Sequence, residues 1–236
     1  MKIPARKKWG QNFLIDPNII YKIISILVLK KEFHILEIGP GKGALTKKLS
    51  DIGNKITAVE IDPMLCRYLK DLNLKNVNII KNNYVIIGNL PYNISTPILF
   101  KFMAEQGWEQ LVVMLQKEVA ERIVSKENNK KYGRTSIMIQ SFFKVELKFN
   151  IPNTVFRPMP EIKSSLLSIT PKKNINLDYN NLKIVVTNAF KHRRKKLIHN
   201  LKNIIDENKL KEIKDNRAEQ LTVTQYQELS RFIIKN

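Results

Sequence analysis

A short apolar segment that runs directly into a glycine-rich turn places the strongest limit on the fold. The segment Phe33–Ile38 has the composition of a buried strand, and Gly39-Pro40-Gly41-Lys42-Gly43 follows it at once. Helical spacing then covers Ala44–Leu49, and a second strand, Lys55–Val59, ends at Glu60. This order predicts a strand, a helix and a parallel strand, because parallel neighbours need a crossover of this length. We therefore expect an α/β fold.

The glycine turn and the carboxylate after the second strand predict a ligand site. Glycines let a ligand approach the backbone, and Glu60 can accept hydrogen bonds from ribose hydroxyl groups. Such a turn alone fits NAD, a flavin or no ligand, but its spacing is G-x-G-x-G and not the G-x-G-x-x-G of dinucleotide-binding proteins. Glu37 stands two residues before the first glycine, where it would repel a pyrophosphate and attract a cation. Together these features resemble the S-adenosylmethionine site of class I methyltransferases.

A second candidate site lies in the segment Ile86–Ser95, which reads as a strand end, a rigid polar turn and a helix start. The amide of Asn89 and the carbonyl groups of Leu90 and Pro91 can accept hydrogen bonds from an exocyclic amine, and Tyr92 offers a stacking face. A proline-containing turn capped by Asn89 explains the same residues equally well. Both interpretations stay open at this point.

The link before this segment is unusually short. Only Lys81–Asn83 separate the predicted strands Val77–Ile80 and Tyr84–Ile87. Three residues reach about 10 to 14 Å, whereas a parallel crossover takes about a dozen residues or more. We therefore expect residues to be missing from the chain near Asn82–Asn83.

The remaining elements are predicted from periodicity and composition. Helices are expected at 19–29, 97–106 and 116–125, and strands at 111–115, 136–143, 145–151 and 164–170, the last at an edge of the sheet. In the proline-rich loop 155–160, Phe156 looks exposed. A buried loop anchor and a substrate contact explain this phenylalanine equally well.

The charge of the chain favours a polyanionic partner. Lys and Arg number 41 against 21 Asp and Glu, which gives a formal charge of +20. An AT-rich coding bias would also raise the lysine count, but the cations cluster locally, above all in Lys191–Lys196. From residue 172 the composition is rich in Lys and Asn, which predicts a domain boundary between 1–171 and 172–236.

The numbers of cysteine and histidine residues bear on the cellular compartment of the protein and on metal binding. A single cysteine, Cys66, and the absence of a signal-peptide pattern favour a cytoplasmic protein. Three scattered histidines and one cysteine argue against a metal site. The apolar segment 19–29 is too short to span a membrane.

Several motifs in one order resemble the KsgA family of ribosomal RNA adenine dimethyltransferases. They are GQNFL at 10–14, EIGPGKGALT at 37–46, GNLPYNIS at 88–95, LQKEV at 115–119, YGR at 132–134, FRPMP at 156–160, FKHRRK at 190–195 and RAEQL at 217–221. No single motif is decisive, but their joint order covers almost the whole chain. The family also has an acidic residue after its third strand, and the aligned place here is Asn83 or lies within the missing segment.

The resemblance implies a fold, a reaction and partners. The fold is α/β, a Rossmann-like class I methyltransferase with a mostly parallel sheet and helices on both faces, plus a small helical C-terminal domain. The reaction is transfer of methyl groups from S-adenosylmethionine to the exocyclic amines of two adjacent adenines near the 3′ end of small-subunit ribosomal RNA. The expected partners are this RNA and the immature small subunit, with no membrane partner and a monomeric chain.

The resemblance also implies roles for individual residues. Carried over by position, the cofactor contacts are Asn12, Leu14, Gly39, Gly41, Glu60 and Asn89. The catalytic turn consists of Asn89, Leu90, Pro91 and Tyr92. The substrate contacts are Tyr92, Phe156, Arg193 and Arg194.

Three other functions fit some of these residues. Macrolide-resistance methylases of large-subunit ribosomal RNA typically carry Ile at the position of Leu90 and lack the basic tail. DNA adenine methyltransferases carry a second proline there. A non-catalytic RNA-binding assembly factor of the same fold would explain the missing acidic residue, but it leaves the intact Asn89–Tyr92 and Glu60 unexplained.

Overall fold

The computed structural model describes residue 5 and residues 11–60, 62–71, 84–90, 95–104 and 107–234. The chain divides into two compact units. The first unit comprises Met1–Ala120 and Glu146–Pro171, and the second comprises Glu121–Val145 and Lys172–Asn236. The chain passes from the first unit to the second for the last time after Pro171, which is also where the sequence predicts the domain boundary. The segment Glu121–Val145, which the sequence placed in the first domain, belongs to the second unit.

The strands and helices follow the predicted order closely. The strands are β1 (Phe13–Leu14), β2 (His34–Ile38), β3 (Ile56–Val59), β4 (Tyr84–Asn89), β5 (Trp108–Gln116), β6 (Phe143–Ile151), β7 (Phe156–Arg157) and β8 (Ser164–Pro171). The helices are α1 (Pro17–Ile24), α2 (Ala44–Ser50), α3 (Pro63–Asp71), α4 (Ser95–Ala104), α5 (Lys117–Val124), α6 (Arg134–Phe142), α7 (Tyr179–Ala189), α8 (Leu197–Leu201), α9 (Glu207–Leu210) and α10 (Val223–Leu229).

The main sheet has the strand order β3-β2-β4-β5-β8-β6. The pairs β2–β3, β2–β4 and β4–β5 are parallel, and β5–β8 is antiparallel. The central strands are continuous apolar segments, with Val85–Ile87 and Leu111–Leu115 buried, as expected for a sheet covered on both faces. The predicted mostly parallel sheet is therefore confirmed.

The register of the sheet brings three strand ends to one edge. Ile38 at the end of β2 lies opposite Val59 of β3 on one side and Gly88 of β4 on the other. A Cβ on Gly88 would lie 2.9 Å from the carbonyl oxygen of Ile38, a separation that side chains do not tolerate. Glycine at this position therefore allows β4 to lie against β2 just before Asn89.

The strand predicted at 136–143 is wrong, because residues 136–142 lie in helix α6 and only Phe143 begins strand β6. The side chains of Ile137, Met138 and Ile139 are all buried, so the short apolar run did not distinguish a buried helix from a strand. The backbone N–H of Gly133 donates to Ser136 Oγ at 3.1 Å, a side-chain hydrogen bond that fixes the first turn of the helix.

The prediction that residues 164–170 form an edge strand is also wrong in its placement. Strand β8 lies between β5 and β6. The alternation of polar and apolar residues in this strand suggested a solvent-exposed face, but its polar residues are buried serines. Ser165 Oγ donates to Asn150 Oδ1 at 2.7 Å, and Ser168 Oγ accepts from Gln110 Nε2 at 3.0 Å. These hydrogen bonds satisfy the hydroxyl groups inside the sheet layer.

In the second unit, α6, α7 and α10 pack on one another. Two buried tyrosines tie its loops to these helices. Tyr132 Oη donates to the carbonyl oxygen of Leu221 at 2.9 Å, and Tyr226 Oη donates to that of Ala218 at 2.7 Å. The motifs YGR and RAEQL therefore lie in one hydrogen-bonded core.

Some predicted features lie outside the described residues. They are the strand Val77–Ile80, the short link near Asn82–Asn83, and the catalytic-turn residues Pro91 and Tyr92. Within the described part of the chain, no helix has the length and apolar character needed to cross a membrane. The same part contains no group of three or more His, Cys, Asp or Glu residues placed to hold a metal ion.

Candidate active site

A cavity of about 230 Å³ opens at the sheet edge where β2, β3 and β4 end. The six residues predicted to bind the cofactor all line it: Asn12, Leu14, Gly39, Gly41, Glu60 and Asn89. Leu90, from the predicted catalytic turn, lines it as well. The structure therefore brings together residues from four separate parts of the sequence. Three of these parts meet because parallel strands present their carboxyl ends at the same edge. The fourth, with Asn12 and Leu14, includes β1, which pairs with β7.

The glycine turn has a backbone conformation that favours glycine. Gly39, Gly41 and Gly43 have φ angles of 69°, 58° and 77°, which lie in the left-handed region. A Cβ on Gly41 would also lie 3.0 Å from the ring of Phe13. Glycine therefore keeps the turn against the ring that closes this side of the cavity.

Glu60 joins the glycine turn to the end of β3. Its Oε2 accepts a hydrogen bond from the backbone N–H of Gly41 at 3.0 Å, and its Oε1 accepts one from the N–H of Asp62 at 3.0 Å. The carboxylate is thus held in place at the cavity wall.

Asp62 extends this arrangement to the N-terminal segment. Its Oδ2 accepts from Gln11 Nε2 at 2.9 Å, and its Oδ1 accepts from the backbone N–H of Met64 at 2.9 Å. The carboxylate therefore connects the start of α3 with a segment that lines the cavity. Asp62 was not among the residues predicted for the site, and its position two residues after Glu60 was the available signal.

Glu37 is a second carboxylate in the cavity wall, and it is almost fully buried at 2% exposure. The pKa of its carboxyl group is raised from 4.5 to about 7, above all by burial. Hydrogen bonding with Thr46 opposes this rise, and the neighbouring charge of Glu60 adds to it. Its Oε2 accepts no hydrogen bond from the described residues. A buried acceptor without a donor is costly, so the site is suited to a positively charged ligand.

The Asn89 side chain has a defined orientation at the end of β4. Its Nδ2 donates a hydrogen bond to the backbone carbonyl oxygen of Asn12 at 3.0 Å. Because one end of the amide donates to Asn12, the acceptor Oδ1 is directed to the other side. Leu90 follows as a buried side chain at 1% exposure.

Phe156 is not exposed, which corrects the impression from the sequence. Its side chain is fully buried at 0% exposure within the apolar core of the first unit. Strand β7, which contains it, pairs with β1, and Phe156 lies opposite Leu14 of the cavity wall. The position agrees with a buried anchor for the cavity, and a role in contacting substrate stays a prediction.

The predicted RNA contacts Arg193 and Arg194 lie in the second unit. Residues 191–196 are all exposed and follow the end of α7. Arg193 Nη2 donates to the carbonyl oxygens of Lys130 and Tyr132, each at 3.3 Å, and its Nε lies 3.7 Å from Glu219 Oε2. The guanidinium of Arg194 makes no such contact with the described residues. The two neighbouring arginines therefore differ in their surroundings.

Sequence comparisons identify proteins similar to this chain. A family model described as ribosomal RNA adenine dimethylase matches residues 3–235. A ribosomal RNA small subunit methyltransferase A from Francisella tularensis subsp. novicida is 39% identical over 260 residues, covering 98% of this chain and 98% of that protein. A protein of the same name from Malacoplasma penetrans is 36% identical over 226 residues, covering 90% of this chain and 83% of that protein.

Solved structures agree on the fold. A dimethyladenosine transferase from Plasmodium falciparum has a TM-score of 0.83 at 22% identity, covering 94% of this chain and 99% of that one. A 23S rRNA methyltransferase, ErmE, has a TM-score of 0.74 at 21% identity, covering 93% and 98%. At these identities the likeness shows the fold alone, which is that of a class I methyltransferase with a helical C-terminal region.

Proposed function

Because the chain belongs to the ribosomal RNA adenine dimethylase family, we propose that it transfers methyl groups from S-adenosylmethionine to adenines of small-subunit ribosomal RNA. The proposed acceptors are the exocyclic amines of two adjacent adenines near the 3′ end. The observation that carries this proposal is the meeting of Glu37, Glu60 and Asn89 in one cavity at the sheet edge. The relatives with 36 to 39% identity are named for the small subunit, which favours this RNA over that of the large subunit.

The buried carboxylate and the glycine turn of the cavity support S-adenosylmethionine as the cofactor. S-adenosylmethionine supplies an electrophilic methyl group when it is bound, and it carries an ammonium and a sulfonium. The buried Oε2 of Glu37, which lacks a donor among the described residues, would compensate positive charge at that end of the cavity. Glu60 would accept hydrogen bonds from the ribose hydroxyl groups, and Gly39 and Gly41 would let the ligand lie against the backbone.

Asn89 would act on the adenine amine. The lone pair of an exocyclic amine is delocalised into the ring, so the nitrogen is a weak nucleophile. Asn89 Oδ1 and the carbonyl oxygen of Leu90 or Pro91 would accept hydrogen bonds from the two N–H groups of this amine. These hydrogen bonds would favour a pyramidal nitrogen whose lone pair is directed at the methyl group. Positioning and fixed dipoles would account for most of the rate enhancement. Stacking of the base on Tyr92 stays a prediction from the resemblance.

The second unit would bind the RNA that carries the adenines. Its exposed segment 191–196 is strongly basic, and cations of this kind bind the phosphate backbone with little dependence on sequence. The target base must leave its stack to reach a pocket, so binding energy from a second surface is needed to offset unstacking. We place the reaction on the immature small subunit in the cytoplasm, with the chain acting as a monomer.

The function is tested by incubating under-methylated small subunits with the protein and labelled S-adenosylmethionine. The proposal predicts label in dimethyladenosine after digestion of the RNA. Label confined to large-subunit RNA would favour the macrolide-resistance type of activity. Binding of subunits without any transfer would favour a non-catalytic assembly factor, the alternative that the missing acidic residue suggests.

Glu60→Gln is predicted to weaken cofactor binding by about tenfold or more, because a charged hydrogen bond contributes about 1.5–3 kcal/mol. The loss should be similar for S-adenosylmethionine and for 5′-methylthioadenosine, since both contain the ribose. Isothermal titration calorimetry with both ligands measures it. Glu32→Gln, at an exposed glutamate of the same unit, is the matched control. Unchanged affinity for both ligands would remove Glu60 from the ribose site.

A further inference from the structure

A buried threonine of helix α2 lies beside the Glu37 carboxylate. Thr46 is the third residue of α2, and its side chain is 3% exposed. The glycine turn reverses the chain between these two residues and brings them together. Burial raises the pKa of the Glu37 carboxyl group, and both the side chain and the backbone of Thr46 act in the opposite direction and lower it. Thr46 itself does not line the cavity, so it can influence a bound ligand only through Glu37.

Packing holds Thr46 in this position. Leu45 and Leu49 of the same helix are buried in the apolar core of the first unit. The backbone N–H of Lys47 donates to the carbonyl oxygen of Gly43 at 3.1 Å and closes the first turn of the helix. Interiors this closely packed leave a side chain little freedom to move away. The hydroxyl of Thr46 is therefore a fixed neighbour of the carboxylate.

The two side chains share an unsatisfied hydrogen-bonding capacity. Glu37 Oε2 and Thr46 Oγ1 are both buried, and neither has a partner of strict hydrogen-bond geometry among the described residues. Leaving such atoms unpaired is costly. An ionised carboxylate only accepts hydrogen bonds, whereas a hydroxyl can donate one by rotating about its C–O bond. The pair therefore has one donor of its own and spare acceptor capacity for a cationic group.

The other groups around Glu37 do not supply a positive charge. On the neighbouring strands, Glu37 lies opposite Ala58 of β3 and Ile87 of β4. Glu60 at the end of β3 adds a negative charge that opposes ionisation of Glu37. Lys42 of the glycine turn lines the same cavity, but Glu37 forms no ion pair with the residues that the structure describes. Among those residues, the hydrogen bonding of Thr46 is what favours the charged carboxylate.

We propose that Thr46 is a positioning residue for cofactor binding, whose hydroxyl donates to the Glu37 carboxylate and keeps it ionised and directed at the positive charge of S-adenosylmethionine. The inference rests on the proposed function, because it concerns the cofactor proposed there. A donor next to a carboxylate favours its charged form. Without the hydroxyl, Glu37 should take up a proton more readily and bind the cation more weakly. A purely structural role would instead affect every ligand of the cavity at every pH.

The test is isothermal titration calorimetry of the full chain with S-adenosylmethionine. Thr46→Val removes the hydroxyl and keeps the shape of the side chain. The ratio of wild-type to variant affinity at one pH cancels the ionisation of the ligand itself. If loss of the hydroxyl raises the pKa of Glu37 by about one unit, this ratio should be about tenfold near pH 6 and about twofold near pH 8. For 5′-methylthioadenosine, which carries neither the ammonium nor the sulfonium, the ratio should stay near one.

Three further variants separate this role from a packing defect. Thr46→Ser retains the hydroxyl and should bind S-adenosylmethionine as the wild type does. Thr170→Val, at a partly buried threonine of β8 that does not line the cavity, is the matched control. When Glu37 is already replaced by Gln, Thr46→Val should cause no additional loss, since the hydroxyl acts through the carboxylate. If Thr46→Val does not fold, Thr46→Ala gives the same comparison.

The outcomes distinguish the two proposals. If the wild-type chain binds neither S-adenosylmethionine nor 5′-methylthioadenosine, the proposed function and the role of Thr46 both fail. If the wild type binds but the affinity ratio is the same near pH 6 and near pH 8, the role of Thr46 alone is refuted. An equal additional loss in the Glu37→Gln background would also refute it.

Discussion

We expect the Asn89→Ala variant to lose methyl transfer by about 100- to 1000-fold, a loss comparable to that for removal of one preorganised transition-state donor. The Asn89 amide is oriented by its bond to the Asn12 carbonyl oxygen, so its acceptor end is available to the reacting amine. Alanine removes the Asn89 acceptor and leaves only the carbonyl oxygen of Leu90 or Pro91 to accept a hydrogen bond from the amine. Subunit binding should change little, because the phosphate contacts proposed for the RNA lie in the second unit.

Two measurements separate these effects. Single-turnover transfer of label from S-adenosylmethionine reports the chemical step, and equilibrium binding of under-methylated subunits reports association. Asn18→Ala, at an exposed asparagine of α1, is the matched control and should behave as wild type in both. Transfer by Asn89→Ala at a rate near that of the control would exclude the proposed role of the amide.

The second large effect is expected at Glu37, where replacement by Gln should stabilise the ligand-free protein at pH 8. The folded-state pKa is raised from 4.5 to about 7. The stability associated with Glu37 is therefore fully present below pH 4.5 and declines as the pH rises towards 7. Above pH 7 the cost of the buried charge reaches about 3 kcal/mol at most. Gln avoids this cost, so we expect the free energy of unfolding at pH 8 to rise by about 1–2 kcal/mol, measured by urea denaturation.

The same substitution should weaken cofactor binding. A neutral side chain cannot compensate the ammonium and sulfonium of S-adenosylmethionine, so its affinity should fall by about tenfold or more at pH 8. Affinity for 5′-methylthioadenosine, which lacks both charges, should change little. In the wild type, the affinity for S-adenosylmethionine should also decrease as the pH falls below 7, since Glu37 must lose a proton to pair with the ligand. Equal affinities of Glu37→Gln and wild type at pH 8 would contradict this charge pairing.

Much of the candidate site could be predicted because it depends on short-range rules. A glycine turn after one strand, a carboxylate after the next and Asn89 after a third all lie at carboxyl ends of parallel strands, and parallel strands bring those ends together. The placement of Asn12 and Leu14 came only from the family resemblance. Nothing in their local sequence predicts that β1 pairs with β7 beside the cavity.

The errors arise where tertiary packing overrides local pattern. The segment 136–143 has an apolar run that fits a strand, but its burial in the second unit selects a helix. Phe156 sits among prolines, and only the pairing of its strand with β1 shows that it is buried. The difference between Arg193 and Arg194 depends on Glu219, which is far away in the sequence.

The comparisons bear on the short link near Asn82–Asn83. The alignment with the Francisella protein extends over 260 positions although this chain has 236 residues. That relative therefore contains residues, within the aligned region, that this chain lacks. The aligned length does not locate these residues, so the expectation that residues are missing near Asn82–Asn83 stays a prediction.

The central claim is that this chain dimethylates two adjacent adenines of small-subunit ribosomal RNA, and mass spectrometry of that RNA from cells lacking the gene tests it most directly. We predict that two adjacent adenines near the 3′ end lose their dimethylation. Expression of the wild-type chain should restore both modifications, and expression of Asn89→Ala should not. Full dimethylation of both adenines in the cells lacking the gene would contradict the account.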